Sequence, residues 1–101
     1  MTGAGEELAA TTSDAWARHE QGVRAELDEL AATLDRIPAQ GVIDQDGTIA
    51  QRLHDLIGVL GIFGFTPASR EARTLLTGMR AGSVSPSEAV AAVHQVRRLI
   101  A

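Results

Sequence analysis

Between Ser13 and Pro38 the apolar side chains recur at a single spacing. Trp16, Val23, Leu27, Leu30, Leu34 and Ile37 follow one another at intervals of seven, four, three, four and three residues. That rhythm places all six on one stripe of an α-helix. Ser13 is a plausible N-cap, and Pro38 with Gly41 ends the run. Gly22 falls mid-helix and weakens it by about 1 kcal/mol relative to alanine. A stripe of this length must be buried against something, and the rest of the chain supplies partners of the same kind.

A second helical pattern runs from near Asp46 to Phe63, with Ile49, Leu53, Leu56, Leu60 and Phe63 on its inner face. Gly64 terminates it. Thr66 can cap a third helix, with Pro67 at its first position and Ala72, Leu75, Leu76 and Met79 facing inward. Gly82 ends that helix. Ser85-Pro86-Ser87-Glu88 then reads as a capping box for a fourth, which turns Ala89, Val90, Val93, Val96 and Ile100 inward. No segment has the alternation of a strand. The expectation is an all-α fold, an antiparallel up-down-up-down four-helix bundle spanning 13–101. Residues 1–12, small and acidic without a period, are expected to form a flexible arm.

Composition narrows the function. The chain has 101 residues, 45% of them hydrophobic, and suits one domain with one modest core. There is no cysteine, so disulfides and thiolate metal sites are unavailable. The net charge is −4 and the nine basic residues, all arginine, are dispersed. Nucleic acid is therefore not an expected partner, since counterion release needs clustered cations. The start of the chain lacks the basic and apolar regions of a signal peptide. The longest apolar stretch, Leu56 to Phe65, contains three glycines and is too short to span a bilayer. A soluble, cytoplasmic protein without membrane partners is expected.

His54 is the residue with the most chemical promise. On a helical wheel centred on Leu53, Leu56 and Leu60 it points outward. Its neighbours along the same side are Ile57, Gly58 and Gly61, with Gly47 and Ala50 one turn back. Glycines are costly in a helix. Such a strip implies close approach, either by a docking partner or by a neighbouring helix of the same bundle. An exposed neutral imidazole is also a competent nucleophile toward phosphorus, and phosphoryl transfer is mainly a matter of positioning and charge stabilisation.

The segment His54-Asp55-Leu56-Ile57-Gly58-Val59-Leu60-Gly61-Ile62-Phe63-Gly64-Phe65 resembles the phosphorylation helix of histidine-containing phosphotransfer (HPt) domains. That helix reads His-x-Leu-(Lys or Ala)-Gly-x-x-Gly-x-Phe-Gly. The following Thr66-Pro67-Ala68-Ser69-Arg70-Glu71-Ala72-Arg73 looks like the family's next helix, and Trp16 is similar to a residue of many members. The likeness covers about residues 13–100. It implies that His54 accepts a phosphoryl group from a receiver-domain aspartate and passes it to another receiver. Gly58, Gly61, Ile57 and Ala50 would give access and docking. The implied partners are response-regulator receivers, with a hybrid histidine kinase as a candidate source. No cofactor or resident metal is implied; Mg²⁺ would sit on the receiver. The protein would be a phosphocarrier rather than an enzyme, and no phosphate-binding glycine loop or acidic metal cluster is present in the sequence.

Many members carry Lys three residues after the histidine, where this chain has Ile57. A phosphoryl group on His54 would therefore need an arginine from elsewhere. Arg70 and Arg73 are either solvated or reach that group. Ile57, Ile62 and Phe65 either pack on adjacent helices or form an apolar contact patch. Two alternatives stand beside the relay: a receiver-binding module that carries no phosphate, and a general helical interaction module, in which His54 would lie buried between helices. His19 and His94 read as boundary or solvent-side residues, and the three histidines are too scattered for zinc.

Overall fold

The computed structural model describes residues 3–44 and 47–101, with side chains from Asp14 onward. Four helices account for most of it: α1 Gly3–Asp35, α2 Thr48–Ile62, α3 Thr66–Ala81 and α4 Pro86–Leu99. The architecture is an all-α four-helix bundle. Helix α2 packs on α3, α3 on α4, and α4 returns to α1. The α1–α2 seam is bridged by longer side chains, Arg52 to Glu26 and Glu29.

The core follows the stripes read from the sequence. Leu27, Leu30 and Leu34 of α1 meet Leu53 and Leu60 of α2, Leu75 and Leu76 of α3, and Val93 and Val96 of α4. Trp16, Ile37, Phe65, Met79 and Val90 are only half-buried at its margin. All three aromatic residues of the chain gather at one end. The Trp16 ring lies 4.6 Å from Phe65 and 5.3 Å from Phe63, and so ties α1 to the α2–α3 turn.

Several boundaries differ from the sequence expectation. Helix α1 begins at Gly3, within the stretch read as an arm, so Ser13 lies inside the helix and is not its cap. Residues 3–12 hold three alanines, two glutamates and a leucine, which favour helix by intrinsic propensity and need no apolar stripe to do so. Met1 and Thr2 lie outside the described residues. Asp46, taken as the start of α2, also lies outside them, and the helix itself opens at Thr48. Its first turn is capped from farther back. Both Asp44 carboxylate oxygens accept from the backbone, from Ile49 N–H at 3.0 Å and Ala50 N–H at 2.9 Å.

Helix α3 starts one residue earlier than expected. Phe65 is its N-cap and Thr66 its first residue, so the Thr66 hydroxyl does no capping. The Ser85 capping box of α4 forms as expected, with Glu88 N–H donating to Ser85 Oγ and Ser85 N–H donating to the Glu88 carboxylate. Gly64, at φ 81°, ends α2. Phe65 N–H reaches the Leu60 carbonyl and Gly64 N–H the Gly61 carbonyl, the paired bonds of a Schellman turn. This three-residue turn sets α3 alongside α2. No described helix is long and apolar enough to cross a membrane.

Candidate functional site

His54 sits in the second turn of α2, just beyond the turn that Asp44 caps. The buried ridge Leu53, Leu56 and Leu60 faces the core, which leaves the His54 side chain 67% exposed. Its Nδ1 faces the Asp55 carboxylate at 3.7 Å, too long for a hydrogen bond. Asp55 is itself steadied by Gln51, whose Nε2 donates to it at 3.0 Å. His54 Nε2 has no protein partner among the described residues. Its lone pair is therefore free when the ring is neutral and protonated on Nδ1.

The glycine strip is open. A Cβ built at Gly58 would have nothing within 4 Å, and one at Gly61 would just touch Ser69 Oγ at 4.0 Å. No helix of the bundle packs against Gly58, and α3 only just reaches Gly61, so internal close packing does not account for Gly58. Ala50 is half-buried, its backbone held by Asp44.

Ile57 does not join His54 on the open face. It is 9% exposed and belongs to the core cluster. Its carbonyl accepts a hydrogen bond from the buried Ser69 hydroxyl of α3 at 3.1 Å. The expectation of a docking role for the Ile57 side chain is corrected accordingly: residues three apart share a helix side only roughly, and 300° of rotation carries Ile57 toward α3. Phe65 likewise packs on Trp16. Of the three apolar residues read as a patch, only Ile62 stands in solvent, at 77% exposure.

The arginines divide into two groups. Arg52 is committed to Glu26, and that hydrogen bond, more than the charges of Glu26 and Glu29, holds its guanidinium above the ordinary range. Arg24, Arg97 and Arg98 pair with Glu20, Asp28 and Gln95. Arg70 and Arg73 enter no side-chain hydrogen bond or ion pair among the described residues. With Gly61, Thr66 and Ser69 they line a shallow groove of about 200 Å³ between α2 and α3. The sequence reading left both open; the groove brings them beside the glycine strip.

His19 is exposed, 5.7 Å from the Phe63 ring, and His94 is exposed on α4. Among the described residues no group of three histidines or carboxylates is placed to hold a metal ion.

Compared with known proteins, the chain matches no family model, and no curated protein or solved structure aligns with it significantly. The chemistry of the site therefore rests on the residues themselves.

Proposed function

We propose that the protein is a histidine phosphotransfer protein, with His54 as phosphoacceptor in a two-component phosphorelay. The single observation that carries this reading is the setting of His54. It is an exposed imidazole with a free Nε2, on a helix face cleared by Gly58 and Gly61. In the forward step the Nε2 lone pair attacks the phosphorus of an aspartyl phosphate on a receiver domain. The N–P bond forms, the P–O bond breaks, and its electron pair returns to the receiver carboxylate. The ring proton stays on Nδ1, facing Asp55. The reverse step, onto a second receiver, restores the free imidazole.

The partners are receiver domains, with a hybrid kinase as one source, in the cytoplasm. Mg²⁺ belongs with the receiver. The four-helix bundle and the motif His54-x-Leu56-x-Gly58-x-x-Gly61 support the HPt reading together. A second reading is favoured by one feature. Ile57 offers no cation where many HPt domains have lysine, so the domain could bind receivers without carrying phosphate.

The experiment is to mix the protein with a receiver bearing labelled aspartyl phosphate. Acid-labile, alkali-stable label should appear on the wild type and be absent from His54→Gln. Label persisting in the variant, or never forming with any cognate receiver, sinks the relay. Receiver binding without label selects the second reading.

A further inference from the structure

We infer that Arg73, with Arg70 beside it, neutralises the phosphoryl group carried on His54, and so replaces from α3 the cation that α2 lacks at Ile57. This inference rests on His54 being the phosphoacceptor.

The register of the α2–α3 pair places Arg73. The Ser69 hydroxyl bonds the Ile57 carbonyl, which fixes those two residues at one level. Moving one turn away from the connecting turn leads from Ser69 to Arg73 on α3, and from Ile57 and Gly58 to His54 on α2. Each helix rises about 5.4 Å per turn, so the backbone of Arg73 stands level with that of His54. Side chains lean toward the N-terminus of their helix, so Arg73 leans back along the groove toward Gly61, which it lines. A swing toward His54 crosses Gly58, which adds no side chain of its own and has nothing within 4 Å of the place a Cβ would take. Nothing holds the guanidinium back. Arg70, one turn nearer the connecting turn, lines the same groove and adds to its positive potential.

The chemistry calls for such a group. A phosphoryl group on the ring adds close to two negative charges near the Asp55 carboxylate. Ile57 is buried and apolar, and Arg52 is held by Glu26 on the far side of α2. A guanidinium is suited to the task because its planar fork can bind two phosphoryl oxygens at once. Gly58 then has two uses on one face: it admits the partner, and it leaves Arg73 a clear path.

The test loads the whole protein without any receiver. Phosphoramidate transfers its phosphoryl group to the imidazole: the N–P bond of the reagent breaks, the bond to ring nitrogen forms, and ammonia leaves. The phosphohistidine resonance is followed by ³¹P NMR against pH, and the His54 signal is the one missing from His54→Gln. A nearby cation favours the dianion and lowers the phosphoryl pKa. Arg73→Ala should therefore raise the titration midpoint by roughly 0.5–1 unit, a three- to tenfold shift in proton affinity. Arg73→Lys should recover part of the shift, and Arg73→Glu should exceed it. Arg70→Ala should move it less. Circular dichroism should be unchanged, because Arg73 is exposed and unpaired. A His54 resonance whose midpoint ignores Arg73 overturns this inference and leaves the phosphoacceptor reading standing. Absence of any His54-dependent resonance overturns both.

Discussion

Helices α2 and α4 each raise a histidine to solvent, and the two sites differ in what surrounds the ring. His94 overlooks a shallow surface lined by Asp28, Ala31, Ala32, Asp35 and Val90. The nearby cation, Arg97, is already bound to Asp28 at 2.6 Å. A phosphoryl group there would meet carboxylates and methyl groups. His54 instead stands one turn from Gly58 on an open helix face, and Gly61 farther along lines a groove with two uncommitted arginines. Exposure is common to both rings, so exposure alone does not make a site. Clear space and unspent positive charge distinguish the α2 face.

The sharpest way to break this comparison is to delete each histidine in turn. With a labelled receiver, His54→Gln should lose all transferred label, whereas His94→Gln should keep it within about twofold, since a surface substitution away from the site costs little. Label mapped to His94 by peptide analysis would reverse the assignment.

Gly58 and Gly22 give the next largest effect. Both are exposed helical glycines with nothing within 4 Å of a would-be Cβ. Alanine should stabilise the protein by about 0.5–1 kcal/mol at either position, read as a higher urea midpoint. Only at Gly58 should the gain come with a loss. A methyl group standing between His54 and an approaching receiver should slow transfer about tenfold, the equivalent of some 1.4 kcal/mol of lost contact. Equal transfer rates in the two variants would remove the case for Gly58 as an access residue.

Helix entry supplies a smaller pair. Ser85 caps α4, below His94, and Asp44 caps α2, below His54. Ser85→Ala and Asp44→Ala should each cost about 1 kcal/mol of stability in denaturant titrations. Only Asp44→Ala should also lower transfer to His54, because it frees the turn that precedes the histidine. If Ser85→Ala lowered transfer as much, the effect would be global loosening and not local positioning.

The parts of this contrast were unequally legible in the sequence. The core was readable because burial imposes a period, and Leu27, Leu30, Leu34, Leu53 and Leu60 obey it. The Ser85 box and Gly64 were readable because their chemistry is local, spanning three to five residues. Asp44 was missed as the cap of α2 because it acts across five residues and an intervening glycine. The start of α1 was missed because alanine-rich sequence can be helical with no stripe to mark it. Ile57 was placed on the wrong side of the strip because a wheel carries no information about where α3 lies. The groove at Gly61 was out of reach for the same reason: Arg70 and Arg73 gain their neighbours only when the Ser69 hydroxyl finds the Ile57 carbonyl.

The smallest effect concerns charge on the α4 face. The Asp28 carboxyl is held below its ordinary value of 3.8, chiefly by the hydrogen bond from Arg97; burial opposes this, and the charges of Arg97, His94 and Arg24 add lesser contributions in the lowering direction. A carboxyl whose pKa falls on folding contributes stability that is complete above the unfolded value, near 3.8, and is lost as pH drops through the folded one. Asp28→Asn should therefore lie slightly below the wild type in urea titrations at neutral pH, and the gap should close as pH falls below 3.8 and through the folded value. A gap that stays constant over that range would show that the pair with Arg97 contributes through packing and not through ionisation. The same substitution removes one of the two carboxylates that share a surface with His94 and frees Arg97, so it moves the His94 surroundings toward those of His54. If charge is what separates the two rings, phosphoramidate should load His94 more readily in Asp28→Asn than in the wild type, while receivers, which also need the glycine strip, should still choose His54.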